Sequence, residues 1–254
     1  MHYARFREAN GEVSHGVIHD EFIEPVAGSI YEIHQLLDRL LPISSIQIIA
    51  PCQPSKIVGV GANYHSLLKS RQRPKPEQPR IFLKPPSSII GTNEAILLPN
   101  STDNVVFEGE LGVVIGKKCF EATKENALSF VFGYTCLNDV TDSSMIETDG
   151  PWDRGKGNDT FCPIGPVIST AVDPFNLIIK TVVDDIVKQR ETTADMVFDV
   201  PTIISFISQY MTLYPGDIIA TGSPAGVDRL YAGQEISVMI DGIGTLHNMV
   251  KLRA

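Results

Sequence analysis

Three carboxylates in this chain are of the type and spacing to act together. Glu108 and Glu110 are separated by one glycine in VVFEGELGVVIG, residues 105–116. The flanks are strongly β-forming, which predicts both glutamates on one strand, and residues i and i+2 of a strand point to the same face. Two such carboxylates in apolar surroundings repel each other unless the face is wet or a cation neutralises them. Asp139 ends a second apolar run, FGYTCLND over 132–139. Three carboxylates with open positions suit Mg²⁺ or Mn²⁺, which take hard oxygen ligands and keep exchangeable waters. The apolar flanks make a solvated strand face less natural, but spacing alone leaves both readings open.

Two further segments could serve such a site. Lys156, in WDRGKGNDTF, is either an ordinary loop lysine or a cation placed to bind a substrate carboxylate or an enolate oxygen. Thr221 opens TGSPAGV behind a short β-forming run. That is a plain turn, or a tight loop whose N–H groups hold an anion. No Gly-Lys-Ser/Thr follows it, which excludes a P-loop. Gly59-Val60-Gly61 begins like a dinucleotide fingerprint, but Tyr64 stands where the third glycine belongs.

The elements that must position these residues are short. Residues 1–50 read as a small N-terminal unit: a hairpin of Met1–Phe6 and Val13–Ile18 about Asn10-Gly11, then a helix. Capping-box spacing at Ser29–Glu32 and the periodic Ile33, Leu36, Leu37, Leu40 and Leu41 predict that helix, with Pro42 as its stop. Residues 51–254 read mostly as strands between Gly and Pro punctuation: Ile57–Val60, Ile81–Lys84, Leu111–Gly116, Val167–Ile168 and Ile218–Thr221. Helices are expected over Lys124–Phe130 behind a Thr123 cap, and from Pro201 through Met211. Glu235–Ile240 and Thr245–Leu252 flank a four-residue hairpin loop. Without βαβ alternation, this pattern means an α+β, mainly β fold.

Composition narrows the function. The chain has 254 residues and a formal charge of −9, which argues against a nucleic-acid partner. No apolar run approaches the roughly 18 residues needed to cross a bilayer, so no membrane span is expected. Cys52, Cys119, Cys136 and Cys162 form no CxxC pair, and no signal-peptide pattern is present. Together these predict a reduced, cytoplasmic protein.

Six ordered segments then resemble the fumarylacetoacetate hydrolase family. They are KIVGVGANY (56–64), IFLKPPSS (81–88), FEGELGVVIGK (107–117), FGYTCLNDVT (132–141), GKGNDTFCPIGP (155–166) and MTLYPGDIIATGSPAGV (211–227). The resemblance spans about residues 52–254. It implies a mixed β-sandwich roll as catalytic domain, usually a homodimer, behind the small N-terminal domain. It places Mg²⁺ or Mn²⁺ on Glu108, Glu110 and Asp139, sets Lys156 near the substrate, and puts Thr221 in the matching TG(T/S)PxGV loop. The substrates it implies are small 2-oxo or 1,3-dicarbonyl acids. The reactions are acylpyruvate C–C hydrolysis, oxaloacetate decarboxylation, or tautomerisation through a metal-stabilised enolate.

The chain departs from that pattern in the rest of the site. The water-activating His and Glu expected after Asn63-Tyr64 fall on Leu67 and Ser70, neither of which can act as a base. The usual substrate-binding Arg falls on Ser143, and a frequent Gln on Ile146. These departures favour decarboxylation or tautomerisation over hydrolysis. The alternative is a catalytically impaired member acting as a regulatory binder of metal and metabolite. The basic stretch Asn63–Arg73, continued by Lys75, could fold as a lid and replace the missing arginine.

Overall fold

The structure is a computed structural model that describes residues 1–102 and 104–253. Its main strands are β1 (His2–Arg7), β2 (Val13–His19), β3 (Phe22–Ala27), β4 (Ile57–Gly61), β5 (Arg80–Lys84), β6 (Ala95–Leu98) and β7 (Gly109–Ile115). They continue with β8 (Val131–Asn138), β9 (Cys162–Ser169), β10 (Ile178–Val183), β11 (Ile186–Thr192), β12 (Ile218–Ala220), β13 (Glu235–Ile240) and β14 (Gly244–Leu252). The larger sheet runs β3-β2-β1-β9-β8-β7-β12-β4-β5, and the smaller β6-β14-β13-β10-β11. Among the described residues, four short α-helices lie outside them: α1 (His65–Ser70), α2 (Ser143–Asp149), α3 (Asp153–Lys156) and α4 (Val200–Ser208). This is the mainly β architecture expected. Among the described residues no helix is long and apolar enough to cross a membrane.

One core lies between the two sheets. Val113, Ile115 and Cys136 of the larger sheet pack with Ile179, Val238 and Ile240 of the smaller, and Ile203, Ile204 and Ile207 of α4 extend the cluster. Each such aliphatic side chain, fully buried, contributes roughly 1.5–3 kcal/mol. Every residue of β7 is buried, so β7 is a central strand with no solvated face. Its antiparallel register with β8 pairs Gly109 with Asn138, so Glu108 and Asp139 meet at the same end of the sheet. The Asp139 N–H donates to Glu108 O at 2.9 Å.

β1 pairs with β9 through His2–Ser169 and Tyr3–Ile168, so the N-terminal strands continue the larger sheet. The expected hairpins form at both ends of the chain. α4 forms as expected, with the Asp199 carboxylate accepting from the Thr202 N–H at 2.9 Å.

Two expected helices are replaced. Over residues 29–41 there is no helix, only the two-residue strands Gln35–Leu36 and Leu41–Pro42, both paired with β3. The Leu37 N–H donates to Pro25 O, so the backbone is satisfied by the edge of β3 instead of by a helical turn. Ile33, Leu37 and Leu40 are exposed. An apolar period with no surface to bury against supplies too little to offset helix nucleation. Over residues 124–130 only a 3₁₀ turn, Ala127–Phe130, forms. Thr123 does not cap it; its N–H donates to Asn126 Oδ1. Phe130 O accepts from Gly116 and Lys117, which draws the segment into the sheet before an α-turn can close.

Candidate metal and substrate site

Glu108, Glu110 and Asp139 converge where β7 begins and β8 ends, each offering a carboxylate oxygen within 4.8 Å of the others. Glu108 lies just before β7, not within it. Glu110 and Asp139 are buried, whereas the Glu108 carboxylate faces a cavity. Two lysines reach in. Lys84 Nζ donates to Asp139 Oδ1 at 2.6 Å and to Val140 O at 3.0 Å. Lys156 Nζ donates to Glu108 Oε2 at 2.5 Å and to Asp139 Oδ2, with the Phe82 ring centroid 4.7 Å away. Lys156 sits at the end of α3 and is 5% exposed, so it is not a surface loop lysine.

Three carboxylates against two ammonium groups leave the cluster one unit negative in a buried setting. The cost falls on Glu110. Burial, then the charges of Asp139 and Glu108, push its carboxyl well above the usual range, and Lys156 and the Gly222 N–H only partly oppose this. Asp139 behaves oppositely: burial would raise it, but Lys156 and Lys84 outweigh burial and hold it below its ordinary value. Burial would lower the Lys156 ammonium, yet Asp139 and Glu108 drive it upward, so it stays charged. Hard oxygen donors with uncompensated negative charge fit a divalent cation, the chemistry that would stabilise the ionised Glu110.

No local sequence pattern marks Lys84 as part of the site. On β5 the apolar Leu83 is 47% exposed while the side chain of Lys84 is fully buried, an inversion that alternation of types alone does not reveal. Thr221 is buried away from the cavity, its Oγ1 donating to Leu111 O at 2.9 Å. The loop behind it does hold a carboxyl group, but one belonging to the protein: the Gly222 N–H donates to Glu110 Oε2 at 2.7 Å. Gly222 has φ +98°, and a Cβ there would lie 2.7 Å from Asn63 Cβ, so this N–H reaches Glu110 only with glycine in place.

Above the cluster is a cavity of about 410 Å³ with Glu108 and Lys156 among its lining residues. α1 contributes Leu67, and α2, capped by Asp142, contributes Ser143 and Ile146. Ser70 is turned away, its Oγ donating to Leu67 O at 2.8 Å. The Trp152 ring forms another wall, edge-on to Phe82 at 5.4 Å. Arg71, Arg73 and Arg80 also line the cavity. Among the described residues none of these three arginines is in an ion pair.

Fold and cluster together define an α+β protein of the β-sandwich-roll type with an acid–lysine site at one end of its central strands. A family model described as fumarylacetoacetate (FAA) hydrolase C-terminal matches residues 56–251, and one described as Rv2993c-like, N-terminal matches residues 1–51. The chain belongs to the fumarylacetoacetate hydrolase family. It is 37% identical over 246 residues to the mitochondrial oxaloacetate tautomerase FAHD2A of Bos taurus, covering 91% of this chain and 78% of that one. The solved structure of 2-hydroxyhepta-2,4-diene-1,7-dioate isomerase from Mycobacterium marinum superposes with TM-score 0.94 and 39% identity, covering 100% of this chain and 99% of that one. Maleylpyruvate hydrolase from Sphingobium sp. SYK-6, solved with manganese(II) and pyruvate, matches with TM-score 0.82 and 30% identity over 100% of both chains.

Proposed function

We propose that the chain is a divalent-metal-dependent enzyme acting on small 2-oxo acids, by tautomerisation or decarboxylation of an oxaloacetate-like acid through an enolate. The observation that carries this reading is the convergence of Glu108, Glu110 and Asp139, with Lys156 spanning two of them, on a cavity of small-molecule size. Mg²⁺ or Mn²⁺ held by the three carboxylates would supply Lewis-acid stabilisation of enolate charge. Lys156 Nζ keeps its proton and serves as a donor toward the developing enolate oxygen, not as a base. Arg71, Arg73 and Arg80 take the part of the arginine absent at Ser143, drawing in a substrate carboxylate and orienting it. Thr221 acts through its loop, which seats Glu110.

Leu67 and Ser70 offer no imidazole or carboxylate to activate water, which favours tautomerisation or decarboxylation over C–C hydrolysis. The same two residues and Ser143 support the second reading, a metal- and metabolite-binding regulatory protein. We assign residues 1–50 to a small N-terminal domain and 51–254 to the catalytic domain of a cytoplasmic homodimer. The deciding experiment follows enol–keto exchange and CO₂ release from oxaloacetate with Mg²⁺ or Mn²⁺ added. Metal-dependent turnover lost in Glu110→Ala supports the enzyme. Metal binding without turnover of oxaloacetate or acetylpyruvate leaves the regulatory reading.

A further inference from the structure

Glu110 belongs to a closed hydrogen-bond circuit that passes through a residue of the other sheet. Gln189, on β11 and 1% exposed, uses its whole amide. Its Oε1 accepts from the Gly109 N–H at 3.0 Å, and its Nε2 donates to Ser223 Oγ at 2.7 Å and Pro224 O at 2.9 Å. Gly109 is the residue between Glu108 and Glu110, and Ser223 follows the Gly222 whose N–H holds Glu110 Oε2. The circuit therefore runs from the Glu110 carboxylate to Gly222, along the loop to Pro224, across the Gln189 amide to Gly109, and back to Glu110.

The approach of β10 and β11 is also why residue 109 is glycine. A Cβ there would lie 2.0 Å from Thr181 Oγ1 and 3.1 Å from Gln189 Oε1, and Thr181 and Gln189 are cross-strand partners. Gln189 is not among the residues lining the cavity. An apolar side chain of equal length would fill its space, so its value lies in supplying one acceptor and two donors at a buried point. Glutamate lacks the donors, asparagine the reach, and methionine both functions.

We propose that Gln189 is a positioning residue for the carboxylate triad, holding the glycine between Glu108 and Glu110 while it anchors the loop that orients Glu110. The inference rests on the metal-binding reading above and adds to it a residue from the opposite sheet. Outer partners of ligating groups typically change metal affinity by about 10–100-fold when removed.

The test compares the unaltered protein with Gln189→Met and Ser223→Ala, titrated with Mn²⁺ alone and followed by electron paramagnetic resonance. Thermal unfolding of each metal-free protein is recorded alongside. Gln189→Met is expected to weaken Mn²⁺ binding about tenfold or more and to alter the zero-field splitting of the bound ion. Ser223→Ala, which leaves the Gly109 contact intact, is expected to weaken it by about two- to fivefold. Both should still unfold cooperatively. Should Gln189→Met fail to fold, Ser223→Ala decides by itself. Wild-type affinity and an unchanged spectrum in every folded variant would overturn the clamp while leaving the metal reading standing. No Mn²⁺ binding by the unaltered protein would overturn the metal reading, and the clamp with it.

Discussion

Lys84 and Asp139 form an ion pair in the protein interior, Nζ to Oδ1 at 2.6 Å, with side chains 0% and 1% exposed. Lys84 ends β5, an edge strand of the larger sheet, and Asp139 follows β8, nearer its middle. The pair therefore ties the two together across the floor of the site. Removing Lys84 leaves Asp139 paired only with Lys156 and the buried cluster one unit more negative. Lys84→Met is expected to destabilise the metal-free protein by about 3–5 kcal/mol, measured by urea unfolding. A loss below about 1 kcal/mol would show that the pair is not the structural tie described.

Glu110 predicts the opposite balance. Its carboxylate is the one most penalised by burial and by its two acidic neighbours. Glu110→Gln should leave metal-free stability unchanged or slightly higher, because the carboxyl whose ionisation burial, Asp139 and Glu108 disfavour is gone. Mn²⁺ at about 100 times its Kd should stabilise the unaltered protein by about 2.7 kcal/mol. The same Mn²⁺ concentration should raise the unfolding midpoint of the variant little or not at all. Equal stabilisation of both proteins would remove Glu110 from the ligand set.

The rim arginines are expected to act on binding more than on chemistry. Arg71→Ala or Arg80→Ala should raise KM for oxaloacetate about three- to tenfold with kcat within a factor of two, roughly 1 kcal/mol for an exposed charge–charge contact. Raising ionic strength should shrink the difference between variant and parent. A KM that stays put in both variants would assign the substrate carboxylate to other residues.

Leu67 and Ser70 stand where the resemblance expects a water-activating pair. Ser70→Glu removes the hydroxyl that ties residue 70 to Leu67 O and supplies a longer side chain that can swing toward the cavity, and together with Leu67→His it should confer Mg²⁺- or Mn²⁺-dependent hydrolysis of acetylpyruvate, followed as pyruvate release. The cost is about 2–3 kcal/mol of stability, since Leu67 is 3% exposed and packs into the main core. If the doubly substituted protein folds and still shows no hydrolysis, α1 does not present these positions to the substrate.

His15 supplies a pH test away from the site. Burial holds its imidazole below the ordinary value, the hydrogen bond to Pro51 O opposes this, and Arg5 adds repulsion. The unfolded chain therefore binds this proton more readily than the fold does. The contribution of His15 to stability is full above the unfolded value of about 6.5 and is lost as pH falls through it and on through the lower folded value. The stability difference between the unaltered protein and His15→Gln should shift against the unaltered protein between pH 7.5 and 5. A difference that does not vary with pH would mean His15 titrates alike folded and unfolded.

Local pattern made much of the site legible. The Glu-Gly-Glu spacing inside β-forming residues and the aspartate ending a second apolar run marked the three carboxylates, because strand periodicity acts over a few residues. The strands, both hairpins and α4 were readable for the same reason. The segment 29–41 departs from its helical pattern because an apolar period is only an offer to bury a face, and here β3 supplies backbone partners instead.

By itself, then, the sequence determined the mainly β elements and offered the three carboxylates as candidates, since these follow from residue type and near-neighbour spacing, while the departures at Leu67, Ser70 and Ser143 show only against the family resemblance. Only the tertiary structure decided what compensates the triad. Lys84 lies 55 residues from Asp139 and Gln189 lies 80 from Gly109. Whether such distant groups meet depends on sheet order and register, set by packing of the whole core, and no local rule encodes that a lysine will point inward while the leucine beside it points out.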